Sequence, residues 1–214
     1  MGSSLLLIGG GGHCKSVLDS LLELNAYDRI GIIDKKDHIG DTIMGVSVIG
    51  CDDDLPNLLN VGYKYAFVTL GSIGKAYQRV KLFELLTNLG YEIPNILDQS
   101  SKVSSFAKIG KGVFIGKKCI VNTGVSIGDG SILNTGSIVE HDCHIGSFVH
   151  ISPGAVLGGE VVVRDNTHIG LNTSIRQNIQ VGAESIIGMG SVVVSNVPDS
   201  CVAYGNPCRV VKRL

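Results

Sequence analysis

The residues of this chain best suited to chemistry are four histidines in its second half, His141, His144, His150 and His168. His141 stands in the run Glu140-His141-Asp142-Cys143. An imidazole that is neutral near pH 7 can accept a proton, and an adjacent carboxylate fixes its tautomer and stabilises the imidazolium that forms. His141, flanked by Glu140 and Asp142, is therefore a candidate general base with one of the two as its orienting acid. On a strand both neighbours of His141 would point away from it, so the pair requires a bend in the backbone. Zinc is the competing chemistry, and it needs three or four convergent ligands. The closest histidine pairs here are three and six apart, which does not suggest such a set, and no metal is expected.

A second chemical signal lies near the start. The apolar run Ser4–Ile8 ends in Gly9-Gly10-Gly11-Gly12-His13, and Val17, Leu18, Leu21 and Leu22 then follow at helical spacing. A glycine turn between strand and helix lets backbone amides approach a phosphate at the helix N-terminus. The loop is not a complete G-x-G-x-x-G, because Cys14 takes the last glycine's place, and tight strand–helix packing alone would also explain the glycines. Asp34 follows a second strand, Ile30–Ile33, where an acid can hold ribose hydroxyls. Gly71 and Ser72 follow a third, Tyr65–Leu70. Ligands of parallel sheets sit at the carboxyl ends of strands. Gly9, Gly11, Gly12, His13, Asp34, Gly71 and Ser72 are therefore the candidate nucleotide-binding residues.

Two kinds of element must position these groups. From Leu97 to Val193 every sixth residue is Leu, Ile or Val. A helix would smear that period around its axis and a plain strand would alternate at two. Period six fits a solenoid of short strands and tight turns. Gly often follows the aliphatic residue, and a small or β-branched residue stands four after it, the hexapeptide repeat of a left-handed parallel β-helix with eighteen residues per coil. His150 and His168 then stack in successive coils, roughly 4.8 Å apart. His141 shares its register with Thr123, Gly159 and Gln177. Before residue 97 the hexad is absent. Strands at Ser4–Ile8, Ile30–Ile33, Val46–Ile49 and Tyr65–Leu70 alternate with helices at Lys15–Leu24, after Asp52–Asp54, and at Lys75–Leu89. The expected fold is an α/β half-Rossmann domain over residues 1–96, followed by an all-β left-handed β-helix over residues 97–214.

Composition agrees. The 29 glycines suit a turn-dense solenoid, Trp is absent, and the net charge of −1 favours neither nucleic acid nor an anionic membrane. No apolar run approaches a membrane span and no signal peptide is evident, so a cytoplasmic protein is expected. The six cysteines show no CxxC and read as reduced, small apolar residues.

Taken together, several motifs give the chain a family likeness. They are Ile8-Gly9-Gly10-Gly11-Gly12-His13 with Lys15, Asn134-Thr135, Glu140-His141-Asp142-Cys143, His150-Ile151-Ser152-Pro153-Gly154-Ala155 and Gly205-Asn206-Pro207. Over nearly its whole length the chain resembles the bacterial sugar acyltransferases that include bacillosamine-pathway UDP-4-amino-sugar N-acetyltransferases and sialic acid O-acetyltransferases. The resemblance implies a homotrimer with active sites between subunits, acetyl-CoA as cosubstrate, and a nucleotide-sugar held by the N-terminal domain through Gly11, His13 and Asp34. It implies His141 as general base, Asp142 as its carboxylate and Asn134 near the acceptor. Gly159 would offer its amide to the thioester oxygen, and His150 would help hold a substrate. Gly188, Gly190, Gly205 and Pro207 would line the coenzyme channel. Cys208 stands where part of the family has Ala. The expected function is N-acetylation at the C4 amine of a UDP-linked 4-amino-4,6-dideoxy sugar. The alternatives are O-acetylation of a sialic acid or related nonulosonate, and a non-catalytic sugar-nucleotide-binding scaffold.

Overall fold

The computed structural model describes residues 3–214 and divides them into two compact units. One unit runs to Gly71 and resumes at Tyr77–Ile96, and the other comprises Ser72–Ala76 with Leu97–Leu214.

The first unit is a five-stranded sheet with helices. Its elements are β1 (Ser4–Ile8), α1 (Gly12–Leu24), β2 (Arg29–Ile33), β3 (Thr42–Ile43), β4 (Val46–Gly50), α2 (Leu55–Asn60), β5 (Tyr65–Val68) and α3 (Tyr77–Leu89). The strand order is β3-β4-β2-β1-β5, parallel except for the β3–β4 pair. All five residues of β1 are buried, as a central parallel strand requires. Leu6, Ile8, Ile33, Leu55 and Leu86 form part of its core.

Three boundaries differ from the sequence reading. Helix α1 starts at Gly12, before Lys15, because Gly11 takes an extended N-cap conformation directly after the strand. Asp52–Asp54 form a separate 3-10 turn, in which the Asp54 carboxylate accepts the Cys51 N–H at 2.9 Å. Helix α3 starts at Tyr77, two residues after Lys75. The β3–β4 hairpin was not anticipated. It turns through Met44 and Gly45, both at positive φ (49° and 82°).

The second unit is a parallel β-helix built from two-residue strands that stack at a register of eighteen, as in Val121↔Val139 and Val139↔Leu157. Together with the two longer terminal strands they form three sheets of six, five and eight strands. The hexad aliphatics fill the interior, where Ile115, Leu133, Ile151, Ile169 and Ile187 are all at 0% exposure. Aspartates tie the corners together. Asp129, Asp165 and Asp199 each accept a backbone N–H from the preceding coil, from Lys111, Ser147 and Ala183 at 2.7–2.8 Å. All six cysteines are free and buried. The last strands, Cys201–Gly205 and Cys208–Arg213, form an antiparallel hairpin that extends one sheet.

Ile151→Ala would open a void in a coil that can collapse little, and should cost about 2–5 kcal/mol. The check is the urea midpoint followed by circular dichroism.

Candidate active site

His141 and Asp142 occupy the corner between the strands Ile138–Val139 and His144–Ile145. Asp142 has φ 58°, the left-handed region, and this bend returns its side chain toward its neighbour. Asp142 Oδ2 lies 3.0 Å from His141 Nδ1. The other flanking acid is committed elsewhere, since Glu140 Oε2 accepts Asn122 Nδ2 at 2.8 Å. An ionised carboxylate only accepts, so Nδ1 carries the proton and Nε2 keeps its lone pair. The hydrogen bond to Asp142 holds the His141 imidazole above the ordinary histidine range against an opposing desolvation effect, and the charges of Asp142, Glu140 and Glu160 add to the rise. The His141 side chain is 51% exposed and open to a substrate.

The next coil completes this corner. Gly159 lies in register with His141, and a Cβ there would collide with the ring at Nε2 and Cε1. Only glycine leaves the ring its place. Among the described residues no hydrogen bond takes up the Gly159 N–H, which leaves a donor beside the basic nitrogen.

Asn134 and His150 form a separate cluster on another sheet. Asn134 Nδ2 is 3.5 Å from His150 Nε2, and the His150 and His168 rings meet edge to face with centroids 5.0 Å apart. His144 is exposed and sits on a strand, with Nδ1 2.7 Å from Ser126 Oγ. Gly188 packs under Tyr204, Gly190 sits at a corner with φ 68°, and Gly205 and Pro207 flank the turn of the terminal hairpin. Among the described residues no group of three or more His, Cys, Asp or Glu could hold a metal ion.

In the first unit, a cavity of about 760 Å³ opens at the carboxyl ends of the strands, with Gly10, Gly11, Lys15 and Asp34 in its lining. The Asp34 carboxylate is fixed by the Gly10 N–H at 3.0 Å and the Lys35 N–H at 2.8 Å, which leaves lone pairs for a ligand. The opposite wall comes from His38 and Asp41–Met44. Sequence reasoning missed that wall; short apolar runs on either side of Met44-Gly45 were its only signal. A smaller cavity of about 420 Å³ is lined by Gly9 and shares Asp34.

Not every residue expected at the nucleotide site lines these cavities. Gly12 is the first helical residue. Gly71 packs on His13, whose Cβ would be 3.4 Å from a Cβ at Gly71. Burial pushes the His13 imidazole down to about 4, with the Arg79 charge adding to the effect, so it is neutral at physiological pH. Ser72 belongs with the β-helix, where its carbonyl lies 2.9 Å from His150 Nδ1.

The PglD N-terminal domain family matches residues 4–86, the GMPPB C-terminal domain 92–174, and the hexapeptide repeat of succinyl-transferase 161–195. The structure of PerB from Caulobacter crescentus in complex with CoA and GDP-perosamine is 33% identical, with 98% of each chain covered and a TM-score of 0.91. The chain belongs to the hexapeptide-repeat sugar acyltransferase family. It is an acetyl-CoA-dependent acetyltransferase. The acetyltransferase domain of PglB from Neisseria gonorrhoeae FA1090, in complex with acetyl coenzyme A, is 32% identical over 99% of this chain and 100% of that one, with a TM-score of 0.89. WeeI from Acinetobacter baumannii AYE, at 23% identity and a TM-score of 0.85 over 98% and 100% of the two chains, shares the fold. A Saccharomyces cerevisiae protein named "Putative acetyltransferase YJL218W" is 44% identical over 34 residues, and this match spans 16% of the present chain and 17% of that protein.

Gly159→Ala should displace the His141 ring without unfolding the coil. A shift of about 1 Å at a reacting group can cost roughly a hundredfold. The expected result is a loss of that order in kcat with an unchanged melting temperature.

Proposed function

We propose that the chain N-acetylates the C4 amine of a nucleotide-linked 4-amino-4,6-dideoxy sugar, with His141 as general base. The observation that carries this reading is the His141–Asp142 pair at 3.0 Å, with the lone pair of Nε2 beside Gly159. The neutral amine attacks the carbonyl carbon of acetyl-CoA, a C–N bond forms, and the carbonyl electrons move to oxygen. His141 Nε2 takes the proton from the nitrogen as its charge develops. The Gly159 N–H faces the oxyanion, an effect worth roughly 3 kcal/mol elsewhere. The intermediate then collapses with cleavage of the C–S bond, and the imidazolium returns the proton to the departing thiolate. The thioester is already activated, and burial pushes the Cys14 and Cys143 thiols up to about 11, so no cysteine nucleophile is invoked.

The acceptor's nucleotide is assigned to the cavity of the first unit, with Asp34 as acceptor for its hydroxyl or base N–H groups and the α1 N-terminus for its phosphates. UDP is the expected nucleotide. The complex of PerB with GDP-perosamine favours a second reading with GDP. Gly188, Gly190, Gly205 and Pro207 are assigned to the donor channel.

We assign a homotrimer with active sites between subunits. His141 follows one sheet strand, Ile138–Val139, whereas Asn134 and His150 belong to the neighbouring sheet. A site using all three is assigned to the contact between two copies. Ile120 and Val156, in one column with Ile138 and Val192, are 41% and 38% exposed and provide aliphatic surface for such packing. No helix among the described residues is long and apolar enough to cross a membrane. A cytoplasmic location suits a soluble donor and acceptor.

Thiol release from acetyl-CoA should be fast with a UDP- or GDP-linked 4-amino-4,6-dideoxy sugar and absent with free sialic acid. It should fall about 10²–10⁴-fold in His141→Ala. Turnover of sialic acid alone would move the enzyme to O-acetylation. Sedimentation should give three copies per particle, and a fully active monomer would contradict the shared site.

A further inference from the structure

Phe114, Ile132, His150, His168 and Ile186 form one column on an outer face of the β-helix. His150 and His168 project outward from their coils, yet they are only 8% and 6% exposed. Ser72–Ala76 belongs to the same compact unit and meets this column at two points. Ser72 lies at His150, with its carbonyl 2.9 Å from Nδ1. Gly74 lies at Ile186, two coils further on, where a Cβ would come within 3.1 Å of Ile186 Cδ1; its φ of +88° lets the chain turn there.

We propose that His150 is a positioning residue that latches Ser72–Ala76 as a strap across this face and thereby orients Asn134. A carbonyl carries no proton, so Nδ1 of His150 is the donor in the 2.9 Å contact. Nε2 of the neutral ring is then an acceptor, and it faces Asn134 Nδ2 at 3.5 Å. The amide is held from its other end as well, because Asn134 Oδ1 accepts the Thr135 N–H at 2.8 Å. One hydrogen bond to the strap therefore sets the tautomer of His150, which together with the Thr135 N–H holds the Asn134 amide. The strap is also the chain that leaves the carboxyl end of β5, the ligand-bearing edge of a parallel sheet. Its tip carries Ile73 at 90% exposure.

The consequence for catalysis rests on the acceptor assignment above, with Asn134 near the sugar, whereas the latch itself does not. Loss of the latch is expected to raise KM for the nucleotide-sugar, with KM for acetyl-CoA and the pH profile of kcat unchanged.

Three readouts test the proposal on the full-length protein. Lys75 lies inside the strap, so trypsin cleavage after it reports release. His150→Leu keeps the bulk without the donor and should be cleaved roughly three- to tenfold faster, the equivalent of one net hydrogen bond. His150→Asn keeps an N–H near the place of Nδ1 and should be cleaved close to the wild-type rate. Nitrogen-15 NMR of the wild-type protein should give an Nδ1–H tautomer for His150. Equal cleavage of wild type and His150→Leu, or an Nε2–H tautomer, would overturn the latch. If His150→Leu does not fold, the wild-type tautomer decides. A latch confirmed by cleavage and tautomer in a protein inactive on every nucleotide-sugar would instead count against the acceptor assignment alone.

Discussion

The eighteen-residue register of the β-helix is the constraint on which the rest of the catalytic unit depends. It places a glycine one coil beyond His141 and a histidine one coil beyond His150. The aliphatic interior maintains this register, because a slip of one residue would turn the hexad side chains outward. A general base on a flexible loop would lose rotational freedom each time it engaged substrate. Here the hydrophobic core has already fixed the backbone, and the φ of 58° at Asp142 converts a solenoid corner into a paired imidazole and carboxylate. Folding energy and catalytic geometry are thus supplied by the same repeat.

The repeat made most of this unit readable from sequence. The period of six predicted which side chains face inward, and the interior positions Ile115 to Ile187 are buried accordingly. Coil arithmetic also placed Gly159 against His141 and His150 on His168. It could not say which of Glu140 and Asp142 would turn toward the imidazole. That choice depends on a single φ and on Asn122, which engages Glu140 from the preceding coil.

The first unit was less legible because it has no repeat to count. Its strands were readable as apolar runs, but the wall of its cavity comes from a hairpin of two-residue and five-residue strands joined through Met44-Gly45. Met is not a residue that announces a positive φ. Ser72 follows the third apolar run, and only tertiary packing shows that its carbonyl is engaged by His150. His13, beside four glycines, is partly buried, and that burial keeps its imidazole neutral.

The central claim is that His141 Nε2 accepts the proton from the acceptor, with its basicity raised by Asp142. The most direct test is kcat/KM against pH for the wild type and for Asp142→Asn. A base must be unprotonated to act, so activity falls as pH drops through its pKa. Asp142 raises that pKa, so removing its charge should move the acid limb to lower pH and reduce the plateau. An acceptor amine that titrates would give the same limb in both enzymes. A limb that stays in place in Asp142→Asn would therefore contradict His141 as the base.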